Sequence, residues 1–175
     1  MLKNRQDALA LLESLGALDR LVRHAELVGQ AADQLLLEFQ RLGVVCESRV
    51  VELGAALHDA GKILHPLELA EPGSKHEEAG QTFLLVNGVP PEIAKCCVSH
   101  AAWDLPDVTL EEKTVALADK LWKGKREADL ELSVIDEISI QLGVSRWEIF
   151  EKIDTAFEEI AARGTERVQR STQQR

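Results

Sequence analysis

Apolar residues recur at intervals of three and four along nearly all of this 175-residue chain, and no segment alternates long enough to argue for a strand. That periodicity confines the chain to an all-α fold, in which each helix turns one stripe toward the core. The spacing predicts a short helix over 6–15 ended by Gly16. A long one follows over 17–42, with Leu18, Leu21, Val22, Ala25 and Val28 along one stripe and Gly43 as its stop. A third, over 47–60, points Val50, Val51, Gly54 and Leu57 inward and closes at Gly61. Pro66, Pro72 and Gly73 mark a loop, after which Ser74 and Glu77 stand at capping-box spacing for a helix to about residue 86. Pro90-Pro91 opens another, to about residue 101. Thr109 with Glu112 caps one over 110–123, and two more are expected over 130–142 and 145–162, the latter with Ser145 and Glu148 at the same spacing.

With 45% hydrophobic residues, the chain is long enough for one domain with a core and too short for two, so residues 1–163 read as a single domain. Residues 164–175 are rich in Arg, Gln, Ser and Thr and form a polar C-terminal tail expected to be frayed or disordered. A formal net charge of −10 disfavours binding along a nucleic-acid backbone or an anionic membrane, since both require a broad basic surface. A small phosphorylated substrate needs only a local basic pocket. Cys46, Cys96 and Cys97 form no CxxC pair, which fits reduced thiols rather than a disulfide framework or a thiolate zinc site. Lys3, Arg5, Asp7 and Glu13 interrupt any signal-peptide apolar region, and no stretch approaches the roughly twenty apolar residues of a membrane span. A cytoplasmic protein is expected, with self-association left open.

Against this pattern, His24, His58, Asp59, His76, His100 and Asp119 fall on inward-facing positions of five helices. His24 has Leu21 at i−3 and Val28 at i+4; His58 follows Val51 and Gly54 at i−7 and i−4. His76 precedes Gly80 and Phe83, His100 follows Ile93, Cys96 and Cys97, and Asp119 has Val115 and Ala116 behind it. One histidine in such a place is read as a hydrogen-bonded core residue. Burying each unpaired ionisable group costs roughly several kcal/mol, and a shared metal centre offsets that cost for all six together. Imidazole and carboxylate suit iron, manganese, cobalt or zinc better than magnesium or calcium.

The same order resembles the HD-domain phosphohydrolase superfamily, in the version that adds two histidines to the basic His, His-Asp, Asp set. Leu57-His58-Asp59-Ala60-Gly61-Lys62 is similar to its HDxGK signature, Leu117-Ala118-Asp119-Lys120 to the segment around its last aspartate, and Lys75-His76-Glu77-Glu78-Ala79-Gly80 to the helix that brings an extra histidine. The resemblance covers His24 to about Arg126. It implies a compact helical bundle holding two divalent transition-metal ions, iron or manganese first, with cobalt or zinc as alternatives. His24, His58, Asp59 and Asp119 would hold one ion, and His76 and His100 the second, with Asp59 bridging. Among dinuclear members the spacing looks most similar to the bacterial symmetrical diadenosine tetraphosphate hydrolases, although Ser99-His100-Ala101-Ala102-Trp103 lacks the second histidine of their motif.

Two divalent ions about 3.5 to 4 Å apart lower the pKa of a bridging water and polarise a phosphoryl oxygen, so the expected reaction is hydrolysis of a phosphate ester or anhydride by metal-activated hydroxide. The substrate would be a nucleotide or another small phosphorylated molecule. Asp59 and Lys62 are the expected catalytic pair, with Lys62 facing developing negative charge or, in the plainer reading, favoured only by a helix dipole. Lys62, His65, Lys123 and Arg126 are the candidate substrate contacts. The basic run Lys120, Lys123, Lys125 and Arg126 could equally be a solvated surface, His65 a turn residue before Pro66, and Trp103 a cover for the core. Two other functions share the ligand set: a di-iron oxygenase of the same superfamily, and a non-catalytic sensor of metal or nucleotide.

Overall fold

The computed structural model describes residues 2–172, which are helices joined by turns, with no strand among them. In chain order they are α1 (Arg5–Ser14), α2 (Asp19–Leu42), α3 (Ser48–Leu57), 3-10 turns over Ala60–Ile63 and Pro66–Leu69, α4 (Lys75–Val86), α5 (Pro91–Ala94), α6 (Cys96–Ser99), α7 (Leu110–Leu121), α8 (Ala128–Leu142), α9 (Arg146–Ala162) and α10 (Gly164–Thr172). Chemical stop signals set several boundaries. Gly43 and Gly143 end α2 and α8 at φ 78° and 68°, in the left-handed region where a side chain is disfavoured. Thr109 and Glu112 form a reciprocal capping box on α7, and the Glu148 carboxylate accepts the Ser145 N–H at the start of α9.

α2 and α7 pack on α3 and on each other. Two apolar clusters result. The larger unites Leu27 to Phe39 of α2 with the inner faces of α7, α8 and α9; the smaller joins α1, Val22 and Ala25 of α2, the end of α3, Leu84 of α4 and Ile93 of α5. α2, α3 and α6 contribute to both, and each switches cluster within a turn of a histidine: Ala25 and Leu27 beside His24, Ala55 and Leu57 before His58, Cys96 and Cys97 before His100.

Three elements depart from the sequence expectation. α3 ends at Leu57 rather than near residue 60, so His58 and Asp59 lie at the helix end, with Asp59 at φ −103° and ψ 13°. The helix expected from Pro91 to about residue 101 is divided at Lys95 into α5 and α6. The tail expected to be disordered is helical over 164–172. There Arg167 is buried and donates to the Ile160 carbonyl at 2.6 Å, and Gly164 presses so closely on Gly124 that a Cβ would come within 2.2 Å of the Gly124 nitrogen. Residues 173–175 of that expected tail lie outside the described residues. No helix among the described residues is long and apolar enough to cross a membrane.

Candidate metal centre

A contact between two glycines brings the centre together. The turn after Asp59 runs against α4 so tightly that a Cβ on Gly61 would lie 1.9 Å from the His76 carbonyl oxygen, and one on Gly80 would lie 2.8 Å from the Gly61 nitrogen. Only hydrogen fits at Gly61. Because α4 can approach to backbone contact, His76 on its first turn reaches the Asp59 carboxylate at the end of α3. α2 supplies His24, α6 ends in His100, and the last turn of α7 supplies Asp119.

The six side chains expected from the sequence meet in two groups, His24 with His58 and Asp119, and Asp59 with His76 and His100; in each, one ligand atom per residue lies within 4.8 Å of the others. Asp59 joins the groups. Its Oδ2 lies 3.0 Å from His24 Nε2 and 3.7 Å from His58 Nε2, while its Oδ1 lies 3.2 Å from His76 Nε2 and 3.7 Å from His100 Nε2. Asp119 Oδ1 is 3.6 Å from His24 Nε2 and 3.7 Å from His58 Nε2. One oxygen of Asp59 therefore faces each group.

Hydrogen bonds on the far side of three rings set what they present to the centre. His58 Nδ1 faces the Ala55 carbonyl at 3.0 Å, His100 Nδ1 the Cys96 carbonyl at 3.1 Å, and His76 Nδ1 the Glu68 carboxylate at 2.6 Å. An Nδ1–H held by an acceptor leaves Nε2 with its lone pair directed inward, the state in which imidazole binds a cation. The pair Asp59 Oδ1 and His76 Nε2 is buried without a hydrogen-bond partner for either atom, an arrangement that costs free energy unless positive charge lies between them. These donors are consistent with a dinuclear metal site.

The titration behaviour has the same origin. Burial opposes charge at Asp59 and Asp119, yet the surrounding imidazoles outweigh it and hold both carboxyls well below the usual range. Burial also opposes a proton on His58 and on His76, but carboxylates outweigh it and raise both: Asp59 and Asp119 for His58, Asp59 and Glu68 for His76. Burial, aided by His58, pushes His100 down to about 4 and keeps it neutral. The centre draws in positive charge, as protons or as cations.

The rim is basic, in a chain whose net charge is −10. Lys62 Nζ donates to Asp59 Oδ2 at 2.6 Å, Lys123 Nζ lies 3.4 Å and Lys120 Nζ 3.7 Å from Asp119 Oδ2. Lys120 was not among the expected substrate contacts. Arg126 is a correction: its guanidinium forms a bidentate pair with Glu131 at 2.7 Å and a further bond to Asp154, so it is committed to α8 and α9 rather than to the centre. His65 stands at the N-cap position of the Pro66–Leu69 turn without a side-chain capping bond, and is in neither of the two groups. Trp103 packs against the larger apolar cluster. Two residues escape the sequence reading. Trp122 donates from Nε1 to Asp119 Oδ1 at 3.3 Å and stands edge-on to the His24 ring at 5.0 Å; Glu68 holds His76.

Residues 18–122 match the HD domain family, more than half of the chain, and the chain belongs to that family. HD domains are usually metal-dependent phosphohydrolases, and the paired buried groups agree with a dinuclear site of that kind. An uncharacterized protein of Methanocaldococcus jannaschii is 29% identical over 158 residues, covering 79% of this chain and 86% of its own length. No solved structure matches the chain.

Proposed function

We propose that this chain is a metal-dependent phosphohydrolase of the dinuclear HD type, cleaving a phosphate ester or anhydride of a nucleotide or another small phosphorylated molecule. His24, His58, Asp119 and Asp59 Oδ2 would hold one ion, and His76, His100 and Asp59 Oδ1 the other. The observation that carries this reading is the division of one carboxylate between two imidazole groups, with Asp59 Oδ1 buried between His76 and His100 and without a hydrogen bond. A structural site is normally closed by about four ligands, whereas the position of His76, His100 and Asp59 Oδ1 has three protein donors and leaves coordination open. When bound, such a pair supplies an activated water and polarises the phosphoryl oxygen.

The chain's own residues do the remaining work. Lys62, Lys120 and Lys123 place ammonium groups on the partly exposed side of the centre, where His24 is also open to solvent at 17% of its side-chain surface. Phosphate oxygens bound there would be charge-matched, and the negative charge that builds on them during cleavage would meet Lys62 first. His58 and His100 are buried, so the side chains of the centre that reach solvent are His24 and the lysines. A hydrolysis screen over nucleotides and small phosphoesters, run with manganese or iron on protein purified without chelator, tests the reading. Phosphate release by the wild type and none by Asp59→Ala is expected. Metal-loaded protein that releases no phosphate but consumes oxygen with a polyol or phosphonate would replace it by the oxygenase reading.

A further inference from the structure

The Glu68 carboxylate lies outside both histidine groups, yet it is the most heavily engaged acceptor beside them. Its Oε1 accepts the N–H of Lys75 at 3.2 Å, and its Oε2 accepts the N–H of His76 at 3.1 Å together with the ring Nδ1 of His76 at 2.6 Å. The chain makes room for it. A Cβ on Gly73 would lie 2.4 Å from Oε1, so only glycine leaves the carboxylate its place. Ser74, at the N-cap of α4 with the spacing of a capping box, makes no side-chain capping bond: Glu68 takes the N–H groups of Lys75 and His76 from outside the helix, and the Glu77 N–H donates to the Ser74 carbonyl at 3.3 Å. Pro66 begins the 3-10 turn that carries Glu68, a few residues after the Asp59–Lys62 segment.

We propose that Glu68 is a positioning residue for the second metal position. By accepting both the backbone and the ring N–H of His76, it fixes the tautomer whose bare Nε2 faces Asp59 Oδ1, and thereby sets the affinity of the Asp59–His76–His100 group without touching the ion. This rests on the dinuclear reading above. The competing account is that Glu68 is a helix cap and nothing more.

The test uses the full chain and Mn2+ alone, with bound metal counted by equilibrium dialysis. The wild type is expected to take two ions, and Glu68→Ala to lose about 10- to 100-fold in affinity at one position while keeping the other. Glu68→Gln, which retains an acceptor oxygen, is expected to lose less. Adding Ser74→Asp to Glu68→Ala gives α4 a local cap but leaves the His76 ring unheld, so thermal stability should recover while metal affinity stays low. Recovery of affinity in that double variant would reduce Glu68 to a cap and overturn the proposal. So would nitrogen-15 NMR of the metal-free protein showing His76 in the same tautomer in wild type and Glu68→Ala. A wild type that binds two ions, with Glu68→Ala binding both equally well, overturns the Glu68 assignment alone. A wild type that binds fewer than two sinks the dinuclear reading and this inference with it.

Discussion

Asp59 is the residue on which both proposed ion positions would depend, since each of its oxygens faces a different histidine group. Asp59→Ala is therefore expected to lose both metals and all phosphatase activity, while circular dichroism shows helical content largely kept. His100→Ala should remove one ion of the two, read by metal analysis. Proton linkage follows from the same contacts. His58 and His76 hold their protons above the ordinary 6.5, so a cation must displace them, and manganese affinity should weaken as pH falls through those raised values. Proton release on titration with Mn2+, measured in buffers of different ionisation enthalpy, checks the sign. Burial raises the Cys46 and Cys96 thiols to about 12 and Cys97 higher still, so all three should react slowly with a maleimide at pH 8 until the protein is unfolded. The six side chains that meet in the two groups were legible in the sequence because a polar residue on a buried helical stripe needs a partner. Glu68 and Trp122 were not: Glu68 meets His76 eight positions away across a looped stretch of chain, and Trp122, three residues after Asp119, has the spacing of an ordinary core tryptophan.

At the level of elements, the decisive contact is α4 against the Ala60–Ile63 turn. Gly61→Ala would drive a methyl group into the His76 carbonyl, and since neither backbone can yield without moving a ligand, a loss of about 3 kcal/mol is expected in urea unfolding, together with one bound ion. Thr109→Ala removes one half of a capping box and should cost about 1 kcal/mol by the same measurement, with metal binding unchanged. Helix ends marked by local chemistry were read correctly from the sequence, as at Gly43 and Thr109. Those set by tertiary approach were not. α3 stops early because the chain must turn to meet α4, and at the start of α4 the N–H groups of Lys75 and His76 are held by a carboxylate from another turn rather than by the Ser74 side chain.

For the molecule as a whole, the centre lies where two apolar clusters meet, and the helices shared between them each carry a histidine at the crossing. Ions bound there would tie the two halves together. With an ion at about 100 times its Kd, binding adds about 2.7 kcal/mol, which for a chain of this size raises the melting temperature by roughly 5 to 10 °C. A chelator should lower it by that amount, measured by differential scanning calorimetry. The all-helical architecture was plain from periodicity, whereas the fold-back of α10 was not, since a nearly apolar-free segment gives no stripe and its anchor is the buried guanidinium of Arg167.

The burial of α4 is slight: His76, Gly80 and Leu84 are its buried residues, while Leu85 and Val86 are left in solvent. Its backbone amides should exchange for deuterium well before those of α2 and α7. The cation held through His76 would then leave whenever that helix lifts, and its partner only when the body of the protein opens, giving two escape rates from sites that share a single carboxylate.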